Sequence, residues 1–94
     1  MHFQETHPGA ILKEELEARG LSATALALKL RVAPQRIQEI VTGKRAISPE
    51  TALRLGRFFG NAPEFWMSMQ SAYDLAILRR ERGTQIAAEV EVAA

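Results

Sequence analysis

Residues 21–48 read LSATALALKLRVAPQRIQEIVTGKRAIS, and the reading of this stretch decides the fold. Ser22 is a good N-cap for a short helix that carries Leu26, Ala27 and Leu30 on one face. Arg31, Val32 and Ala33 then make a tight break. Pro34 follows as a first helical residue, where its missing N–H would be unpaired in any case. Ile37, Ile40 and Val41 give the second helix a buried i, i+3, i+4 stripe, and Gly43 lies just past its end. Two short helices joined this closely cross steeply, the geometry of a helix-turn-helix. Burying the stripe leaves Gln35, Arg36, Gln38 and Glu39 outside, and Gln and Arg carry the paired donors and acceptors that match purine edges in a major groove. The segment has the shape and the chemistry of a DNA reader, with a helix-turn-helix core at 22–42.

The rest of the chain fits around that core. Ninety-four residues make a single domain over 1–94. A hydrophobic fraction of 47% with 24% charged residues is ordinary for a soluble globular protein. No apolar run approaches the roughly 20 residues that span a bilayer. The amino terminus, Met1 to Glu5, lacks the basic start and apolar middle of a secretion signal. With no cysteine, disulfides and thiolate metal sites are excluded, and a cytoplasmic protein is expected. The net charge of +1 hides an asymmetry. Between Ser22 and Arg57 seven basic residues face two acids, whereas the flanks on either side are each net acidic by two. Positive charge is concentrated where phosphate attraction would need it.

Five helices and no convincing strand are expected in the body. The first spans about Pro8 to Ala18, ends at Gly20, and buries Ile11, Leu12, Leu16 and the stem of Arg19. Ile47, in the loop after the recognition helix, plugs the core. Ser48, Pro49 and Glu50 announce a fourth helix with an N-cap, a first-turn proline and an acid at the positive end of the dipole. Its apolar residues are Ala52, Leu53, Leu55, Phe58 and Phe59, and Gly60 closes it. The fifth helix runs from about 63 to 81, with Phe65, Trp66, Met69, Ala72, Tyr73, Ala76 and Ile77 as a continuous stripe and Met67, Leu75 and Leu78 outside it. It is more apolar than one small core requires. Either it wraps a core short of large residues, or part of it pairs with another chain, and the second is favoured. Phe65, Trp66, Met69, Tyr73 and Ile77 are the candidate dimer contacts. Residues 83–94, small and weakly alternating, are left unassigned.

Catalysis finds no support, because no reactive groups converge. The two histidines lie near the amino terminus, and although His7 with Glu5 hints at a metal site, no second pair of ligands joins them. Glu14, Glu15 and Glu17 read as a solvated helix face. Gly43-Lys44 follows a helix and lacks the other glycine of a phosphate loop. No metal and no cofactor is expected. Roles in DNA binding follow from position. Pro34, Gln35, Arg36, Gln38 and Glu39 are the base-reading candidates, with Gln35 suited to adenine and Arg36 to guanine or a phosphate. Glu39 is placed either to accept from a cytosine amino group or to pair with Arg36 and aim it. Ser22, Thr24, Thr42, Lys44 and Arg45 are the phosphate-binding candidates.

Several strings resemble a known family. Residues 21–47 are similar to the Cro/C1-type (lambda repressor-like) helix-turn-helix domain of the xenobiotic-response-element class. His7-Pro8-Gly9, the run from Ile37 to Ile47, Thr51-Ala52-Leu53-Arg54-Leu55, Glu64-Phe65-Trp66 and Gln70-Ser71-Ala72-Tyr73-Asp74-Leu75 together resemble HigA-type antitoxins, also labelled virulence-associated protein I. The resemblance spans about residues 7–78. It implies an all-α, five-helix domain with an extended C-terminal helix. It also implies a homodimer that binds palindromic operator DNA to repress its own operon, and that neutralises a HigB-type toxin, a RelE-like messenger RNA endoribonuclease. A free-standing repressor of the same fold, or a helical module that binds only protein, are the alternatives. One departure stands out: family domains commonly cap the recognition helix with Ser or Thr, and this chain has Ala33. The loss removes about 1 kcal/mol of local helix stability, partly offset by Pro34.

Overall fold

The computed structural model describes residues 6–93. Readings placed on Met1 to Glu5, including Glu5 as a metal partner of His7, fall outside the described residues. Five helices follow in order: α1 (Pro8–Arg19), α2 (Ala23–Leu30), α3 (Pro34–Val41), α4 (Pro49–Phe59) and α5 (Pro63–Glu89), with no strand among the described residues.

Local chemistry sets the boundaries. Each of the chain's four prolines is the first residue of a helix, at Pro8, Pro34, Pro49 and Pro63. The Ser22 and Ser48 hydroxyls cap α2 and α4 by accepting from the Ala25 and Thr51 amides at 3.0 and 3.2 Å. His7 does the same for α1 through Nδ1, which accepts from the Gly9 amide at 2.9 Å. Ala33 and Ala62 offer α3 and α5 no such bond. Gly20 and Gly60 end α1 and α4 in the left-handed conformation. The corresponding position after α2 is Arg31, at φ 64°, a conformation that costs a non-glycine residue roughly 1–3 kcal/mol.

The core gathers Leu12 and Leu16 from α1, Leu26, Ala27 and Leu30 from α2, Ile37 and Ile40 from α3, Ala52 and Leu55 from α4, Ile47 from the loop, and Trp66. Ile47 is 2% exposed and closes the core as expected. Gly9 is required where α1 meets α3, because a Cβ there would overlap the Ile40 carbonyl. Gly56 plays a similar part where the chain turns into α5, since a Cβ would come within 2.6 Å of the Asn61 carbonyl oxygen. Arg19 differs from its expected role: its guanidinium lies over the Phe59 ring at 5.0 Å, a cation–π contact at the surface. Of the apolar residues of α4, Leu53 and Phe58 are 61% and 36% exposed.

The largest difference from the sequence reading is α5. It continues to Glu89, through Gly83, as one helix of 27 residues. At 1.5 Å per residue it is about 40 Å long, and it gives the molecule extents of 52 × 24 × 21 Å. Only Trp66 and Gln70 on it are buried. Trp66 is 1% exposed, with its indole N–H donating to Asn61 Oδ1 at 3.0 Å. It belongs to the core, so it leaves no surface for a dimer partner. Met69 packs against that core, and Tyr73 meets the His7 ring edge-on at 5.0 Å. Phe65 remains 46% exposed. Leu75 lies nine residues beyond Trp66, about half a turn round the helix at 100° per residue. On that side Leu75, Leu78 and Ile86 are exposed, and with Arg79, Gly83 and Ala87 they line a mostly apolar groove.

Candidate nucleic-acid interface

Helix α3 presents its polar face because Ile37 and Ile40 are fully buried beneath it. Gln35, Gln38, Glu39, Thr42 and Lys44 line one shallow depression open to solvent. Five of the ten DNA-contact candidates therefore converge on a single surface. The others are distributed around it. Thr24 is tied in by the Gln38 amide, which donates to Thr24 Oγ1 at 3.4 Å. Ser22, at the head of α2, is exposed with its oxygen accepting the capping bond. Pro34 is exposed at the head of α3.

Glu39 organises the face. Its carboxylate accepts from the Gln35 side-chain amide at 2.8 Å and from Arg45 Nε at 2.8 Å. Those two bonds, the Gln35 amide first, hold the carboxyl below its ordinary pKa. Two turns of local chain are thereby fixed, since the backbone carbonyl of Glu39 also accepts from the amides of Lys44 and Arg45. Glu39 does not aim Arg36. Arg36 reaches to α4 instead, where Nη1 pairs with Glu50 at 3.4 Å. Glu50 is shared with Arg54, at 3.1 Å, and Arg54 is anchored in turn by donating to the Leu30 carbonyl at 2.9 Å. Arg54 first, and then Arg36, keep the Glu50 carboxyl below its usual range. The base-reading candidate Arg36 is thus held at the edge of the face by a chain of contacts that runs through α4 to the end of α2.

The cations on the far side of α3 differ from each other. Arg45 is committed to Glu39, whereas the Lys44 amine has no ion pair among the described residues. The Thr42 hydroxyl donates back to the carbonyl of Gln38 at 2.9 Å. In that placement the hydroxyl turns toward its own helix at the rim of the depression it shares with Lys44. Sequence reasoning overlooked three positioning residues, a pair and a single one. Glu50 and Arg54 stand at i, i+4 spacing, a visible pairing signal. Gln70 is the other: it is buried, its Oε1 accepts from the Ile47 amide at 2.8 Å, and its Nε2 donates to Asp74 at 3.0 Å. It ties the loop after α3 to α5, and a polar residue four positions after Trp66 within an apolar stripe was its signal.

Among the described residues no group of three or more His, Asp or Glu side chains is placed to hold a metal ion. No helix among the described residues is long and apolar enough to cross a membrane. His7 serves as a cap, and burial pushes its pKa below the ordinary 6.5, against the pull of Asp74.

This arrangement of helices has relatives. The helix-turn-helix family matches residues 12–66. Virulence-associated protein I of Dichelobacter nodosus is 52% identical over 77 residues, covering 81% of this chain and 71% of the relative. Antitoxin HigA-1 of Vibrio cholerae is 37% identical over 68 residues, covering 71% of this chain and 64% of the relative. Among solved structures, the Pseudomonas aeruginosa antitoxin HigA with the higBA promoter superposes with a TM-score of 0.92 at 41% identity, over 96% of this chain and 99% of that one. The chain belongs to the HigA-type antitoxin family. As a family member it has a Cro/C1-type helix-turn-helix fold that extends into a long C-terminal helix. HigA-type proteins are DNA-binding regulators and not enzymes.

Proposed function

We propose that this HigA-type protein is the antitoxin of a two-protein module. It binds operator DNA as a homodimer through α3, represses its own operon, and neutralises a HigB-like toxin, an endoribonuclease of the RelE-like class. The observation that carries the DNA reading is the preorganised face of α3, where Glu39 fixes Gln35 and Arg45 beside the unpaired Lys44. Likeness at 41% identity to a HigA structure holding its promoter supports it. Within that face Gln35 and Gln38 read bases, Lys44 and Ser22 hold phosphate, and Arg36 and Arg45 reach the DNA by exchanging a carboxylate for it. Two copies associate through the outer side of α5, where Leu75, Leu78 and Ile86 stand exposed. The protein acts in the cytoplasm, beside its operator.

The test is a titration of the DNA upstream of its own gene at two salt concentrations. Wild type should bind selectively and lose affinity steeply with salt. Lys44→Ala should weaken binding to all sequences alike and lower the salt slope by about one. Gln35→Ala should weaken binding to the operator and leave non-specific binding intact. No selective binding at low salt would refute the operator reading. Co-purification with the product of the adjacent gene tests the antitoxin role separately.

A further inference from the structure

A second concave surface lies away from the face of α3. The end of α2 and the outer side of α4 form a cleft of about 540 Å³, lined by Lys29, Arg31, Leu53, Arg54, Arg57 and Phe58. Four of these are cations, and among the described residues none of Lys29, Arg31 and Arg57 has an ion pair. Arg54 is partly engaged, but its Nε is buried with no hydrogen-bond partner. Leu53 and Phe58 add exposed apolar surface between the charges. Arg31 enters the cleft from a left-handed backbone position that glycine fills after α1 and α4. An occupant that suits this cleft carries carboxylates alternating with aliphatic side chains in an extended strand.

The chain contains such a segment. Glu89 is the last residue of α5 and Val90, Glu91 and Val92 follow it, with Val90 in an extended conformation and the two valines 65% and 96% exposed. The segment cannot reach the cleft of its own chain. Phe58 lies next to the start of α5, and the helix carries its end about 40 Å away at 1.5 Å per residue. The three extended residues after Glu89 return at most about 11 Å of that. We propose that the α2–α4 cleft receives the acidic, aliphatic segment 89–92 of a second copy of the chain. Glu89 and Glu91 pair there with Arg31 and Arg57, and Val90 or Val92 covers Leu53 and Phe58. This contact is additional to the pairing of α5 faces proposed above, and it rests on two copies associating.

Because the chain has no cysteine, a single nitroxide can be placed by Val92→Cys and read from another copy. Spin-labelled protein at natural isotope abundance is mixed with nitrogen-15-labelled wild type, so that only broadening between copies is seen. The expected result is selective loss of amide intensity at Arg31, Leu53 and Phe58. Arg57→Glu in the observed copy should remove that loss, and Glu91→Arg in the labelled copy should restore it. Restoration by the charge swap separates a specific contact from a damaged fold. Broadening elsewhere, or none in a sample that light scattering shows to be dimeric, would overturn this inference alone. A monomer at every concentration would overturn it together with the dimer.

Discussion

The two halves of α5 have nearly opposite surroundings within one unbroken helix. From Pro63 to about Asp74 it is bound to the body: Trp66 fills the core, Gln70 holds the Ile47 amide, and Tyr73 packs on His7. From Leu75 onward it projects, with Leu75, Leu78 and Ile86 exposed on the side away from Trp66. The first half shows a helix stabilised by tertiary packing, the usual source of helix stability in proteins. The second half is sustained by its own propensity and leaves an apolar side uncovered. A buried face and an interaction face on one helix need not be the same stripe of residues.

The contrast can be broken most sharply at its inner end. Trp66→Ala should destabilise the fold by about 3–5 kcal/mol, the range for truncating a large buried aromatic. Phe65→Ala, its half-exposed neighbour, should change stability far less. Urea denaturation of both variants checks the difference, and equal losses would mean that the two rings share the core. Gly83→Ala should act in the opposite direction and only on the outer half. An added methyl meets only Arg79 Cβ at an ordinary 3.9 Å, and replacing a mid-helix glycine by alanine is worth about 0.5–1 kcal/mol. Amide exchange should slow around residues 79–87 and stay unchanged at Trp66. Slowing throughout the molecule would show that the halves open together.

A smaller effect sharpens the junction at His7. Its pKa is lowered in the folded state, so folding favours the neutral ring. Stability is fully present above the ordinary 6.5 and falls as pH drops below it, because the unfolded chain takes up a proton first. The loss is complete once the folded ring protonates as well. Nδ1 can no longer accept from Gly9 in that form. His7→Asn keeps a capping acceptor and should flatten stability between pH 7 and about 5. A profile unchanged by the substitution would mean that another group titrates there.

How much of this was legible depended on whether the cause was local. The starts of α1 to α4 were readable because proline and serine act within one turn, as at Pro34 and Ser48. The end of α5 was not. Gly83 resembles a terminator, yet an isolated glycine costs a helix only about 1 kcal/mol. Ala87 and Ala88 favour helix, and the Gln85 amide bonds Glu89 one turn on at 3.0 Å. The DNA face was legible as a set of residues but not as a network. Helical spacing placed Gln35 next to Glu39, whereas the Arg36–Glu50 pair joins α3 to α4 across fourteen residues and depends on their crossing. Trp66 was misplaced for a related reason: periodicity identified an apolar stripe without saying whether the body or another chain covers it.

The carboxylate of Glu39 has one more consequence, best put in the language of ion exchange. Arg45 and Arg36 already have anions beside them, Glu39 and Glu50, before any DNA arrives. A phosphate that takes either arginine replaces a counter-charge belonging to the protein, and fewer dissolved ions change places than the number of basic residues implies. Lys44 alone among the three has no ion pair within the described residues. The α3 surface is therefore a partly loaded exchanger, whose sensitivity to salt is set by its vacant positions and not by its total content of cations.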